Sequence, residues 1–448
     1  MNSPALLAYT ILFPIFLAIA RFFSPLHPKL KTFFRVRKGV FEELKQKINT
    51  LPSATFTLWI HAASVGEFEQ ARPIIAALKA SHPEITLFVS FLSDSGYNAR
   101  KNFTDASAVF YLPADTHSNA RKLLSLLKPD LLLLMRYDFW PNHLMEAKKK
   151  GAKLILAAAV LQNNASYFHP LLKGFYRSIF NLFDNIYTVS SKDSVAFRQI
   201  FRCEQAETAG DPRFDQVFLR SQNCAMVDHL KPLFENRTVM VAGSVWDRDE
   251  KRLLPAWQKL EKRPSLILVP HEVNSENMAR LYRELQNRSL AYVPISTLTE
   301  TFDPEREILV IDQTGYLVEL YSLASIAYVG GGFGVNIHNT LEPAVFNIPV
   351  LFGPNCHNSP EAEELVAAGG AAIIHDVKEL AAALKTLTTD TVQREKSGKA
   401  AGKFVQERTG ATTLIAESIE SYSPDFRKVP SWSSAFPGKG NNLSLIHI

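Results

Sequence analysis

Two carboxylates stand where a parallel α/β chain delivers reactive groups, just past an apolar, β-rich run. The first is Glu67, in His61-Ala62-Ala63-Ser64-Val65-Gly66-Glu67. Small residues such as Ser64 and Gly66 let a substrate approach the backbone, and Gly66 permits a tight turn. Phe68 to Ile75 reads as the start of a helix, so Glu67 falls at a helix amino terminus. A carboxylate there can take a proton from a bound hydroxyl, or it can simply complement the helix dipole. The second is Asp138, in Arg136-Tyr137-Asp138-Phe139-Trp140-Pro141-Asn142, which follows the run Leu131 to Met135. Asp138 suits binding a sugar hydroxyl or holding the base in place, and equally suits capping the next helix. Trp140 and Pro141 read as packing residues.

The second half of the chain offers groups for an anion. Val241-Ala242-Gly243-Ser244 ends a strand with a Gly-Ser pair suited to a phosphate at a helix start. Val269-Pro270-His271-Glu272 repeats that geometry, with His271 either touching phosphate or capping. The strongest local signal is Tyr328-Val329-Gly330-Gly331-Gly332-Phe333-Gly334, followed by Asn336-Ile337-His338-Asn339-Thr340-Leu341-Glu342. Amides at Gly331 and Gly332, with Asn336 and a helix opening near Asn339, would make an anion cradle. Glu342 would accept hydrogen bonds from ribose hydroxyls, and Asp312-Gln313-Thr314-Gly315 would close the same donor pocket through Asp312 and Gly315. The plain alternative is a glycine turn needed only for packing. There is no GxxxxGK[ST], and the spacing is not the GxGxxG of a first βα turn. No clustered His and carboxylate ligand set presents itself, so the expectation is a site without metal or cofactor.

Positioning these groups takes two sheets. At 448 residues the chain exceeds what one core usually organises, and 46% hydrophobic with 21% charged residues fits a globular protein. Strand candidates in the first half are 56–62, 86–91, 108–112, 131–135, 153–160 and 186–189. In the second they are 238–242, 265–269, 291–295, 308–311, 326–329, 349–352 and 371–374. Alternation with helical patterns predicts a parallel α/β architecture of two doubly wound domains, with ligands in the crevice beyond the strand ends. The expected boundaries are 39–215 for an acceptor-binding domain, 216–236 for a linker, 237–420 for a donor-binding domain and 421–448 for an irregular tail. Net charge is +5 with a pI near 8.9, a mild excess that by itself selects no partner, nucleic acid included. Cys203, Cys224 and Cys356 are scattered and suggest neither disulfides nor zinc.

Residues 1–38 stand apart. From Ala5 to Ala20 nearly every residue is apolar, and Arg21, Lys29, Lys31, Arg35, Arg37 and Lys38 follow with no acidic residue between them. A signal peptide would carry its positive charge first, so a membrane anchor with the bulk of the chain in the cytoplasm is the better reading.

In this order, these segments resemble the 3-deoxy-D-manno-octulosonic acid (Kdo) transferase family of lipopolysaccharide biosynthesis. The resemblance runs from about Ala5 to Ala416 and rests on His61 to Glu67, Trp140-Pro141-Asn142, Gly243-Ser244, Asp312 to Gly315, and Gly330 to Ala344. It implies two Rossmann-like domains of the GT-B type facing across a cleft. It also implies metal-free transfer of Kdo from CMP-Kdo to a lipid A precursor (lipid IVA) at the cytoplasmic face of the inner membrane, against an anionic leaflet and with no nucleic acid. By similarity Glu67 matches the family's catalytic base, with Ser64, Gly66 and Asn142 toward the acceptor. The chain departs from the family in three places. Many members carry Glu-Thr-Glu-Leu before Trp-Pro-Asn, where this chain has Arg136-Tyr137-Asp138-Phe139, and Pro-Arg-His where it has Pro270-His271-Glu272. The Gly-Ser pair is followed by Val245-Trp246-Asp247 instead of Thr-His-Glu. A nucleotide-sugar epimerase of the same architecture would explain the glycine cradle without the anchor, and a non-catalytic sugar-nucleotide binder would explain both.

Overall fold

The computed structural model describes residues 3–52, 55–161, 166–334 and 336–423. Strands buried on both faces must be apolar throughout, which is why short Val/Ile/Leu-rich runs become the core of parallel sheets. In the first unit these are β1 (Thr57–Ala62), β2 (Thr86–Phe91), β3 (Ala108–Tyr111), β4 (Leu131–Met135), β5 (Lys153–Ala159), β6 (Asn185–Thr188) and β7 (Ala206–Thr208). They lie in the order β3-β2-β1-β4-β5-β6-β7, all parallel. The chain winds outward from β1 to β3, then returns to β4 and winds the other way. The crevice between β1 and β4 is therefore the switch point of the sheet, the place where such folds bind ligands.

The second unit repeats the plan with β8 (Val239–Val245), β9 (Ser265–Pro270), β10 (Ala291–Pro294), β11 (Glu307–Val310), β12 (Ile326–Val329), β13 (Val350–Phe352) and β14 (Ala371–Ile373). Their order is β10-β11-β9-β8-β12-β13-β14, again parallel, with the switch point between β8 and β12.

The compact units do not follow the boundaries expected from the sequence. The first runs to Asp215 and resumes at Thr409; the second is Gln216–Arg408. The cause at the far end is one buried carboxylate. Asp215 accepts the amides of Gly410 and Thr412, at 2.5 and 2.7 Å, and so holds the start of the helix Ala411–Ser421. Ile415, Ala416 and Ile419 of that helix share a core with Phe68 and Ile74 of the helix Val65–Ser81, which carries Glu67. The donor-domain boundary at 420 is thus replaced by one near 408. Residues 216–236, expected as a linker, bury Val227, Leu230 and Phe234 in the core of the second unit. From 424 onward the tail lies outside the described residues.

Among the described residues one segment, Pro4–Leu26, is long and apolar enough to cross a membrane, with mean hydropathy 2.1. Leu7, Ile11, Leu12, Ile15, Phe16 and Ile19 are exposed along it. Its other side is docked: Leu6 is buried, the Thr10 hydroxyl donates to Asn142 Oδ1 at 2.7 Å, and Phe13 meets Trp140 edge-on. Of the basic residues that follow, Arg37 is engaged by the fold, donating to the Leu112 and Leu92 carbonyls at 2.8 Å each.

Candidate functional site

Each sheet presents its chemistry at its own switch point. In the first unit β1 ends at Ala62, and Ser64 caps the helix Val65–Ser81 by accepting the Glu67 amide at 3.4 Å. Glu67 reaches back from the first turn, where its Oε2 accepts the Ala63 amide. That is the geometry of an N-terminal cap, yet it engages one oxygen only; Oε1 has no hydrogen bond among the described residues. The carboxylate is 7% exposed. Burial raises its pKa above the ordinary 4.5, opposed by the Ala63 amide; Asp138 raises it further, while His61 and Arg136 lower it. A Cβ added at Gly66 meets nothing within 4 Å, so the space at Gly66 itself is open.

Asp138 is held by a hydrogen-bond chain whose polarity is set at its far end. The Trp59 indole can only donate, and it donates to Ser90 Oγ at 2.8 Å. Ser90 then gives its own proton to His61 Nδ1 at 2.8 Å, which leaves Nε2–H to donate to Asp138 Oδ2 at 2.9 Å. Trp140 Nε1 donates to the same oxygen at 2.9 Å. Asp138 Oδ1 keeps its lone pairs, with no hydrogen bond among the described residues. A cavity of about 380 Å³ opens beside Asp138, walled by Tyr9, Tyr137, Trp140, Tyr167, Phe175 and Tyr176.

Sequence reasoning did not single out His61, Ser90, Gln70 or Asp211. His61 pairs with Ser90 across the β1–β2 register, and the one available sign was a histidine near the end of a largely apolar strand. Gln70 donates to Asp211 Oδ1 at 2.8 Å and accepts from Arg136 Nε at 2.7 Å. Arg136 itself sits at φ +62, left-handed backbone that a non-glycine residue adopts only where its surroundings hold it.

Asn142, expected to face the acceptor, is buried instead. Its amide and Nδ2 donate to Asp115 Oδ2 and to the Asp115 carbonyl at 3.0 and 2.6 Å, while its Oδ1 takes the Thr10 proton. It ties the amino-terminal helix to the helix Pro141–Lys149.

In the second unit, Gly243 and Ser244 form an irregularity in β8, with Ser244 at φ +53. Beside them His271 stacks between Trp246 and His338, at centroid distances of 4.3 and 4.2 Å. Trp246 Nε1 donates to His338 Nε2 at 3.0 Å. That bond requires an unprotonated Nε2; burial, with His271 adding to it, lowers the His338 pKa to about 4, and burial lowers that of His271 as well. The glycine loop after β12 is tightly packed. The Gly331 amide donates to Asp249 Oδ2 at 2.9 Å, and a Cβ on Gly332 would come within 2.6 Å of Gly353. Asn336 is exposed next to it. Asn339 caps the short helix Leu341–Ala344, accepting the Leu341 amide at 3.1 Å and donating to Glu342 at 3.2 Å. Asp312 lies beyond β11, two strands from β8, and accepts the Ser296 amide at 3.0 Å, with Gly315 at φ +98 in the turn that follows. Among the described residues no group of three or more His, Cys, Asp or Glu side chains is arranged to hold a metal ion.

Residues 34–216, the first unit with both carboxylates, match the family model described as 3-Deoxy-D-manno-octulosonic-acid transferase (kdotransferase). A 3-deoxy-D-manno-octulosonic acid transferase of Chlamydophila psittaci is 26% identical, with 84% of this chain and 87% of that one aligned. The enzyme of the same description from Haemophilus influenzae is 23% identical over 82% of this chain and 87% of its own. Among solved structures, the UDP-GlcNAc 2-epimerase of Neisseria meningitidis superposes with a TM-score of 0.54 at 15% identity, covering 82% of this chain and all 100% of the other. That last likeness is one of fold, two Rossmann-like units of the GT-B type. The sequence similarity to the transferases spans both units, and the family match falls on the unit that bears Glu67, so what the chain resembles across its length is the Kdo transferase family.

Proposed function

We propose that the chain transfers Kdo from CMP-Kdo to a sugar hydroxyl of a lipid A precursor, with inversion at the anomeric carbon and with Glu67 as the base. The observation that carries the reading is the state of Glu67. It is a buried carboxylate at the switch point, with its pKa raised, one oxygen fixed by the Ala63 amide and the other without a partner among the described residues. In the step, Glu67 Oε1 takes the proton of the acceptor hydroxyl as that oxygen bonds to the anomeric carbon. The bond from that carbon to the phosphate oxygen of CMP breaks, and its electron pair leaves with CMP.

Asp138, anchored through Oδ2, offers Oδ1 to orient the acceptor hydroxyl. The aromatic-walled cavity beside it gives the acceptor a surface on which to stack and bury. Ser244, His271 and the loop after β12 serve the donor phosphate, the neutral imidazoles as hydrogen-bond donors. The exposed apolar side of the amino-terminal helix and the basic residues after it seat the protein on an anionic membrane face. Contacts of Thr10 and Phe13 with Asn142 and Trp140 fix that helix to the domain, so the attachment and the acceptor cavity move as one body.

The reading sets the acid limb of the pH profile. A base must be deprotonated, so turnover falls as pH drops through the Glu67 pKa, and because burial raises that pKa the fall begins above the ordinary carboxylate range. The expected profile of kcat has an acid limb above pH 4.5, where the carboxyl would titrate unburied, and the limb disappears in Glu67→Gln. A limb unchanged in that variant would assign the base elsewhere. Retention of configuration in the isolated product, read by NMR, would contradict the single displacement.

A further inference from the structure

Arg136 is a guanidinium that the fold holds in place without satisfying. It is 22% exposed, and its one hydrogen bond among the described residues is from Nε to Gln70 Oε1 at 2.7 Å. Asp211, the carboxylate paired with it, stands 3.8 Å from Nη2, too far for a hydrogen bond. The reason is that Asp211 is already full. Oδ1 accepts Gln70 Nε2 at 2.8 Å and the Arg213 amide at 3.0 Å, while Oδ2 takes Arg213 Nε and Nη2 at 2.9 and 2.8 Å. A carboxylate offers about four lone-pair positions, and these four donors occupy them. The other N–H groups of Arg136 therefore find no acceptor among the described residues, although a mostly buried arginine is ordinarily paired. Two guanidinium charges face one carboxylate here, at the end of β4, on the switch-point crevice. The fold also fixes the direction of the unpaired charge, through the Gln70 bridge and the left-handed backbone at Arg136.

We propose that Arg136 is an anion-binding residue of the transfer site, accepting a substrate oxyanion that lies close to the hydroxyl Glu67 deprotonates. This rests on the transfer reading above. A planar fork with unused N–H groups matches a phosphate monoester or a carboxylate. Two substrate groups have that chemistry: a phosphate on the acceptor sugar, and the carboxylate that Kdo carries next to its anomeric carbon. The electrostatics of the site agree with it. Arg136 lowers the pKa of Glu67, together with His61 and against Asp138; an anion seated on Arg136 cancels that pull, so the base strengthens when substrate is in place.

The test is steady-state kinetics on the full chain in detergent, with phosphorylated and dephosphorylated lipid acceptor and CMP-Kdo varied in turn. Arg136→Gln is expected to raise one KM by about 10- to 100-fold, the size of a lost charge-assisted contact, with Arg136→Lys recovering part of it. A rise confined to the phosphorylated acceptor identifies the acceptor phosphate; a rise in the KM of CMP-Kdo with both acceptors identifies the carboxylate. Unchanged KM values in Arg136→Gln overturn the inference, as does an equal loss with both acceptors accompanied by a lower melting temperature and no change in donor KM. Titration with inorganic phosphate reads the site without turnover: it should raise the melting temperature of the wild type more than that of Arg136→Gln. A wild type that shows this difference and no transfer contradicts the transfer reading and keeps the anion site; turnover without the difference, and with unmoved KM values, does the reverse.

Discussion

Replacing Glu67 by Gln lowers turnover by about 10² to 10⁴, the contribution of a positioned base, while the protein melts no earlier than the wild type. The two halves of that expectation separate a base from a structural cap. Were Glu67 present only to hold the helix Val65–Ser81, its removal would weaken the fold and touch catalysis indirectly. Proton linkage points the other way. Burial raises the folded-state pKa of Glu67, and a carboxyl whose pKa is raised on folding supplies its stability below the unfolded pKa and loses it as pH rises through the folded one. At neutral pH the ionised side chain therefore opposes folding, and the neutral amide of Gln relieves that cost while its carbonyl can still accept the Ala63 N–H. Loss of activity with retained or increased stability is the mark of a residue kept for chemistry. Affinity for CMP-Kdo should hardly change. Turnover within a few-fold of wild type, or an early-melting protein, would return Glu67 to the role of a cap.

The second large effect belongs to a residue away from the chemistry. Asp115 is fully buried and gathers the start of the helix Pro141–Lys149: its carboxylate accepts the amides of Asn142 and His143 at 3.0 and 2.9 Å, and also His143 Nδ1. An anion at a helix amino terminus is favoured by the dipole and by the orphan amides found there. Asp115→Ala leaves those donors buried with nothing to accept them, and the expected destabilisation is about 3 to 5 kcal/mol, read as a lower melting temperature and denaturation midpoint. Activity should fall with it, because Trp140, which donates to Asp138, directly precedes that helix, and Asn142 ties the amino-terminal helix to it. A variant as stable as the wild type would mean that solvent or a rearranged Asn142 satisfies the helix start.

What could be read from the amino acids followed from local physics. Strands covered on both faces are apolar runs, so β2, β4 and β12 are predicted to the residue. β7 escaped because it is three residues long and two of them are exposed. Glu67 was legible as the first acidic residue after a strand, in a stretch of small residues. What supports it was not, because it is assembled across distance: Ser90 reaches His61 only through the β1–β2 register, and Gln70 meets Asp211 141 positions away. The same holds for the domain boundary, where Asp215 caps a helix 195 positions later and no local pattern says which sheet that helix will cover. Asn142 and Asp312 have partners within the fold that the sequence does not show. A polar residue after a strand suggests a ligand contact, yet Asn142 satisfies Asp115 and Thr10 inside the fold, and Asp312 closes a turn with Ser296.

The most direct measurement is the mass of the lipid after the purified chain is incubated with CMP-Kdo and a lipid A precursor. The account predicts a lipid heavier by the mass of a Kdo residue for each transfer, with one CMP released per residue gained and an initial rate about 10² to 10⁴ lower with Glu67→Gln. A lipid of unchanged mass, whether the donor stays intact or is merely hydrolysed to free Kdo and CMP, would contradict it.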